Sequence, residues 1–420
     1  MKSRVVLFMM MAGLITLVVA GPGMASTPKE IFQRYKASQS QGQNQNILKS
    51  IYFSEKFGAV FDSVSIGRYV YIVGGYGLAV MDFSDTAAPR MVKNIKSPLE
   101  LNDIVVDGNY AYITAGRRGS LRGRLVVMDV SRPENPRRVS TLELPESPVG
   151  LVVQEGIAYL GGYSSGFFII DVKNPSRPRM LSTFVPAEQG RIEKGKVARL
   201  LDSGMDIPDA LIAKAGKRIG VRNEDDARRW AELKQLKGHV WWPNVRYPYA
   251  YVPYDPEGLY VLDITDPAKP KQVGYFNKKT KEGGDLYFND VAFYRNYALI
   301  ALDYAGFLVL DISDPAKPRE VAHVNPWPGH TWESAPGHMI QLKVFGDRAY
   351  FPAGEDGVYI YDIKDPIKPV LIEKVPGSLE QNKGLAWGMN VTHEAVTVGY
   401  IPFKTNPKAK GGFEVYQLMR

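Results

Sequence analysis

The chain of 420 residues contains no cysteine, and this absence excludes several classes of chemistry. Without a thiol there is no disulfide, no cysteine nucleophile, no covalent haem attachment and no lipid anchor of the bacterial lipoprotein type. Only five histidines are present, and their spacing contains no zinc motif. The sequence also lacks a nucleophile elbow, a phosphate-cradling loop, a dinucleotide fingerprint and any recognised nucleic-acid-binding module.

Long apolar runs are absent after the first 25 residues. Lys2 and Arg4 precede the apolar run Val5 to Ala20, and small residues follow it. This pattern predicts a signal peptide at residues 1–25, then a polar leader at 26–46. The alternative is an uncleaved anchor, although the run is short for a membrane span. We expect export to the periplasm, the cell surface or the medium, with no membrane span after cleavage and no nucleic-acid partner.

One short segment, GFLVLDISDPAKP from Gly306 to Pro318, recurs along the chain. Its apolar run is too short for a helix and suits a strand that is covered on both faces. Proline then ends the strand because it has no N–H to give to a neighbour. Copies begin at the following residues: Gly77, Arg124, Gly166, Gly258, Gly357 and, in a weaker form, Gly412.

The aspartate that ends each copy is predicted to form a turn rather than a catalytic site, because its carboxylate can accept N–H groups there. These aspartates are Asp82, Asp129, Asp171, Asp263, Asp311 and Asp362. They recur about every 40–50 residues, with one longer interval, and this period is typical of propeller blades. The chain ends on the third strand of the last copy. We therefore predict an all-β, seven-bladed β-propeller over residues 47–420, closed by an N-terminal strand within Ile47 to Lys56.

The repeated strands read FLVLD, LYVLD, VYIYD and FFIID, and with this pattern the chain resembles the bacterial LVIVD-repeat proteins. The resemblance covers roughly residues 46–420. It implies a β-propeller and export, but the family has no single established activity, and fold alone does not give function.

Residues 186–238 interrupt the repeat and have helical character. Asn223 is a candidate N-cap for a helix that Gly238 would end. We predict a small α-helical insertion between blades 3 and 4. It should share one face of the propeller, here called the top face, with the loops between second and third strands.

Several unusual side chains are predicted to lie on this top face and to form a binding surface for a partner. They are Arg117, Arg118, Arg122, Arg124, Trp242, Trp327, Trp332, Tyr304, Tyr76 and Tyr163. The connector Asn325 to His338 is either a lid that handles ligand or an ordered loop whose tryptophans plug the channel mouth. The arginine loop has the alternative of being simply solvated.

Aligning the repeats places one residue per blade at the inner mouth: Asp62, Asp103, Gly150, Trp242, Asp290, Gln341 and Gly388. The three aspartates are weak candidates for a cation site such as calcium, or they accept N–H groups from neighbouring strands. No cofactor is predicted, and Ca²⁺ or a transition metal stays an alternative.

Two functions follow. The first is an exported, non-enzymatic binding or scaffold protein that holds another exported or cell-surface protein, or a glycan, on its top face. The alternative is a metal-dependent hydrolase, lyase or oxidase with a site at the channel mouth. That site would be formed by His330, Glu333, His338, Asp290 and Asp103.

Overall fold

A computed structural model describes residues 47–117, 120–186, 226, 238–281, 283–377, 383–402 and 408–419. Residues 46–420 form one compact unit. The predicted signal peptide and leader lie outside the described residues, as does the predicted helical insertion apart from Pro186, Asp226 and Gly238. That insertion stays a prediction. Within the described part of the chain, no helix is long and apolar enough to cross a membrane.

The described strands form seven separate antiparallel sheets, which are the blades of a propeller. The first strand, β1 (Leu48–Ser54), precedes the blades and is followed by a 3-10 helix, Glu55–Phe57. Blade 1 contains β2 (Val60–Ile66), β3 (Tyr69–Gly74), β4 (Gly77–Asp82) and β5 (Arg90–Ile95). Blade 2 contains β6 (Leu101–Asp107), β7 (Tyr110–Ala115), β8 (Leu121–Asp129) and β9 (Arg137–Glu146). Blade 3 contains β10 (Leu151–Gln154), β11 (Ile157–Gly161), β12 (Phe167–Asp171) and β13 (Arg179–Phe184).

The remaining blades follow the same order from the channel outwards. Blade 4 contains β14 (His239–Val240), β15 (Asn244–Arg246), β16 (Tyr249–Asp255), β17 (Gly258–Asp263) and β18 (Lys271–Phe276). Blade 5 contains β19 (Asp290–Tyr294), β20 (Tyr297–Ala301), β21 (Phe307–Asp311) and β22 (Arg319–Val324). Blade 6 contains β23 (Lys343–Phe345), β24 (Arg348–Pro352), β25 (Val358–Asp362) and β26 (Val370–Val375). Blade 7 contains β27 (Leu385–Val391), β28 (Ala395–Ile401) and β29 (Gly412–Leu418).

The ring closes as the sequence predicts, because β1 pairs antiparallel with β29 and becomes the outer strand of blade 7. Seven buried apolar clusters lie between consecutive blades, and one of them joins blade 7 to blade 1 through Phe413 and Val70. The third strands supply much of this core. Phe307, Leu308 and Val309, for example, are all fully buried.

The repeated aspartates are turn formers, which confirms their predicted structural role. In each of the six, one carboxylate oxygen accepts the N–H of the residue two positions later, at 2.8–3.0 Å. These turns lie on the face opposite the top face, called here the bottom face. Their regularity leaves the top face, where blades differ, as the place to look for a site.

Candidate functional site

Three aspartates lie at the top ends of inner strands and line a central cavity of about 470 Å³. Asp103 accepts the N–H of Ile104 in its own strand and that of Leu151 in blade 3, both at 2.8 Å. Asp290 makes the same two kinds of bond, at 2.7 and 2.9 Å, to blades 5 and 6. Each of these carboxylates therefore links one blade to the next, as the structural alternative predicted.

The cavity also contains Lys343, a residue that the sequence analysis did not single out. Burial lowers the pKa of Lys343, but the attraction of Asp290, Asp62 and Asp103 outweighs it, and the net pKa is raised. The ammonium is therefore charged at neutral pH. Burial raises the pKa of Asp290 to about 7, and Lys343 opposes this rise. Burial and the neighbouring Asp103 raise the pKa of Asp62 well above its usual range.

The top end of the channel is filled by a small apolar cluster around Val149, Trp242 and Trp387. The Trp242 ring stacks on Trp241 with centroids 5.6 Å apart and meets the Trp387 ring edge-on at 6.4 Å. Gly150 makes room for this packing, since a Cβ there would lie 2.2 Å from Cδ1 of Trp242. The channel plug is thus built from blades 3, 4 and 7.

The connector Asn325 to His338 does not supply that plug, so of its two alternatives the one in which its tryptophans plug the channel mouth is wrong. Trp327 is buried between blades 5 and 6, and its indole N–H donates to Asp356 at 2.9 Å. Trp332 is 51% exposed, and its indole N–H reaches Asp303 at 3.3 Å. The Nδ1 atom of His338 lies 2.5 Å from the other carboxylate oxygen of Asp303. Asp303 therefore fixes two points of the connector.

The five residues of the predicted enzyme site do not come together in one place. Asp103 and Asp290 lie in the channel beneath the plug, whereas His338 pairs with Asp303 in the loop between β20 and β21. Glu333 is exposed, and hydrogen bonds from its own N–H and from a threonine hydroxyl lower its pKa. His330 lies on the same connector, partly exposed. Among the described residues, no group of three or more His, Asp or Glu side chains is arranged to hold a metal ion.

A second cavity, of about 450 Å³, opens beside the plug and is here called the mouth pocket. It is lined by Ala59, Phe61, Glu100, Arg117, Tyr163, Trp241, Ile401 and Pro402. The Tyr163 ring meets the Trp241 ring edge-on at 5.4 Å and lies 4.2 Å from the His239 ring. The indole N–H of Trp241 donates to Asp255 at 3.2 Å, which fixes the ring. The pocket thus combines aromatic rings with one cation and one anion.

Five stretches of the chain, residues 62–97, 101–142, 149–185, 244–278 and 287–326, match the model of the LVIVD repeat. This chain is an LVIVD-repeat β-propeller protein. The matched LVIVD repeats coincide with blades 1–5, and blades 6 and 7 complete the ring. No curated protein matches the sequence.

Solved structures that resemble the LVIVD-repeat chain do so at low identity. The β-propeller domain of Cps50 (Swd1) from Myceliophteria thermophila is 8% identical, with a TM-score of 0.56, over 89% of this chain and 100% of that one. The WD40 β-propeller domain of Doa1 is 10% identical, with a TM-score of 0.56, over 89% and 97%. A chain of the mitotic checkpoint complex is 8% identical, with a TM-score of 0.54, over 96% and 100%. Such similarities show the fold alone.

In blades 3, 5 and 6, one position in the turn between the second and third strands has a left-handed backbone. Blade 6 places Gly354 there, with φ +60°, whereas blades 3 and 5 place Tyr163 and Asp303, with φ +55° and +57°. Glycine adopts this conformation at little cost, but a tyrosine there is strained. A glycine would avoid this strain, so a larger residue at the position points to a role for its side chain. Tyr163 lies in the mouth pocket, and Asp303 contacts His338. Aligning these turns would have found both positions from the sequence.

The other predicted surface residues of the LVIVD-repeat protein are scattered. Arg122 lies 2.6 Å from Asp226, and Arg124 lies 2.7 Å from Glu143. Arg118 lies outside the described residues. Tyr76 is 46% exposed in the corresponding turn of blade 1, and the Tyr304 ring packs edge-on against Tyr287. Of the predicted surface, Arg117 and Tyr163 meet in the mouth pocket, with Trp242 beneath them in the plug.

Proposed function

We propose that this LVIVD-repeat protein is an exported, non-enzymatic binding or scaffold protein. Its top face, with the mouth pocket and the insertion at residues 186–238, holds another exported or cell-surface protein, or a glycan. Export rests on the predicted signal peptide at residues 1–25. Its test is fractionation of cells that express the full chain or a chain without those residues.

The observation that supports this function most strongly is the mouth pocket above a plugged channel. Trp241 and Tyr163 offer ring faces and edges, and Arg117 and Glu100 offer a hydrogen-bond donor and an acceptor. A concave site with a few polar groups on an apolar lining is the usual form of a binding site. Arg122 lies 2.6 Å from Asp226, a residue within the proposed insertion, and this contact supports a place for the insertion on the same face.

The experiment is affinity capture with the tagged full chain, followed by direct binding measurements with the isolated partner and with a glycan array. We expect Arg117→Ala and Trp241→Ala to weaken binding at least tenfold. Arg319→Ala, which removes an exposed arginine from the bottom face, is the matched control and should bind normally. Because Trp241 also packs in the plug, Arg117→Ala decides the outcome if the tryptophan variant unfolds. Equal binding by all three variants would contradict the proposal.

The enzyme alternative is supported by one observation, the contact of His338 with Asp303. A carboxylate that orients a histidine is a common arrangement in acid–base catalysis. Elemental analysis of the native protein and of a His330→Ala, His338→Ala double variant tests it. Stoichiometric transition metal that is lost in the double variant would favour the enzyme. Retained partner binding without metal in either protein would favour the scaffold.

A further inference from the structure

Two carboxyl groups in the central channel share a single hydrogen-bond donor. The N–H of Ile104 lies 2.8 Å from Oδ1 of Asp103 and 3.2 Å from Oδ2 of Asp62. Asp103 and Asp290 each receive an N–H on both oxygens, whereas within the described part of the chain Asp62 receives only the shared N–H, on Oδ2. The Asp62 and Asp103 carboxyls are therefore brought side by side with too few donors, an arrangement that two ionised carboxylates do not tolerate alone.

The second carboxylate oxygen of Asp62 has even fewer hydrogen-bond donors. Asp62 is only 5% exposed, and its Oδ1 atom has no hydrogen-bond partner among the described residues. A buried polar atom without a partner is rare in folded proteins and commonly marks the place of a water or an ion. Asp62 lines the 470 Å³ channel cavity, which provides room for both.

The charges around the cavity do not balance either. Three carboxyl groups line it, and Lys343 is the one basic side chain among the described lining residues. Ser63, Asn244 and Asn390 add neutral polar groups, and the other lining side chains, for instance Val105, Ala292 and Val344, are apolar. In such surroundings like charges repel far more strongly than in water, so the Asp62 carboxyl either keeps a proton, the direction in which its pKa is shifted, or has a further cation beside it.

We infer that Asp62 and Asp103 together bind one hard divalent cation, with calcium as the first candidate. Hard cations prefer carboxylate oxygens, and a site with two carboxylates completes the coordination shell with water. Oδ1 of Asp62 is the oxygen left available for the ion. Of the three carboxyls, Asp290 on the adjacent blade attracts Lys343 most strongly, which leaves the pair from blades 1 and 2 for the cation.

The test is calorimetric titration of the full chain with Ca²⁺ after treatment with EDTA, together with thermal unfolding with and without Ca²⁺. We expect one saturable site and a higher melting temperature with the ion, because a ligand that binds only the folded state stabilises it. Titration with Mg²⁺ then ranks the two hard cations.

Three variants make the assignment specific. Asp62→Asn should abolish binding and the thermal shift, whereas the matched control Asp290→Asn should keep a saturable site. Lys343→Met removes the competing positive charge and should tighten binding about tenfold or more. It also decides the matter if Asp62→Asn does not fold.

Two results would overturn the inference. The first is that Ca²⁺ and Mg²⁺ give no heat of binding in calorimetry and do not change the melting temperature. The two carboxyls would then share a proton instead of a cation. Binding by Asp62→Asn equal to that of the unchanged protein would place the cation elsewhere.

Discussion

Blade 5 and blade 7 have the same architecture but differ in the type of residue that one position of the third strand buries. Blade 5 is formed from one continuous stretch, and its strand β21 buries Leu308 with no exposed surface. The equivalent residue of β29 in blade 7 is Glu414, which is also fully buried. One position of the repeat thus holds a leucine in an ordinary blade and a carboxylate in the closing blade.

The difference follows from the way in which blade 7 is assembled from both ends of the chain. Glu414 accepts hydrogen bonds from Ser50 of β1 at 2.6 Å, from Lys383 at 2.6 Å, and from Tyr400 and Tyr416 at 2.8 and 2.7 Å. Apolar contacts tolerate small shifts, whereas a satisfied buried polar network fixes one arrangement. In blade 5 the continuous chain fixes which strands pair. In blade 7 the strands come from both ends of the chain, and the buried polar network around Glu414 fixes their pairing.

A second polar contact lies at the seam, the place where β1 joins the last blades. It replaces a hydrogen bond that links neighbouring blades elsewhere in the ring. In blades 2 and 3 the outer-strand residues Ser140 and Ser182 donate to a proline carbonyl in the next blade, at 2.5 and 2.7 Å. The equivalent residue in blade 6 is Glu373, which accepts N–H groups at the start of β1 from Ile47 at 2.8 Å and Leu48 at 3.1 Å. A donor becomes an acceptor because the neighbour there presents N–H groups instead of a carbonyl.

Deletion of residues 46–56 is expected to have the largest effect, because it removes β1 and its contacts with β29 and Glu373. We expect a loss of about 5 kcal/mol or more, comparable with the whole stability of a domain. Chemical and thermal unfolding measure it. Deletion of residues 27–45, which keeps β1, is the control and should unfold like the full chain. Identical unfolding of the two deletions would mean that the seam does not hold the ring.

Leu308→Glu places the carboxylate of blade 7 in the core of blade 5, where no network receives it. Burial of an unpaired charge should cost about 4–5 kcal/mol or prevent folding. Leu308→Met, which keeps the volume, is the matched control and should cost less than about 1.5 kcal/mol. Soluble, stable Leu308→Glu would show that the two positions are interchangeable.

Glu414→Leu makes the reverse change and restores the apolar residue of the repeat. We nevertheless expect a loss of about 2–4 kcal/mol, since Lys383 and two tyrosine hydroxyls lose their acceptor. Adding Lys383→Met should recover part of the loss by removing the unpaired ammonium. Denaturant unfolding of the single and double variants checks both expectations, and a gain of stability in the single variant would contradict them.

Glu373→Gln should have the smallest effect, a loss of about 0.5–1 kcal/mol, because an amide oxygen still accepts one N–H. Burial raises the pKa of Glu373, so its contribution to stability is full at low pH and falls as the pH rises through the folded-state value. The variant should lack this dependence. Stability measured from pH 4 to pH 8 tests it, with the exposed Glu394→Gln as control.

The blade pattern could be predicted from the sequence because it repeats along the chain. The turn aspartates, the strand divisions of blade 2 and closure by the first strand all follow from local signals. The contacts that side chains of different blades make inside the channel could not be predicted from the repeat. Lys343 begins β23 and Trp242 lies between β14 and β15, and only the closed ring shows which side chains they meet. The contact of His338 with Asp303 joins two loops of different length for which the repeat gives no alignment.

The hydrogen bond between Ser50 and Glu414 joins residues that are 364 positions apart. Contacts of such long range form late, because the entropy of bringing the two ends together must be overcome before they contribute. A growing chain therefore holds its first strand unpaired until nearly all the other blades have been made. During that interval β1 is an open edge that another copy can pair with, so the concentration of nascent chains, and not the stability of the finished ring, sets the risk of aggregation.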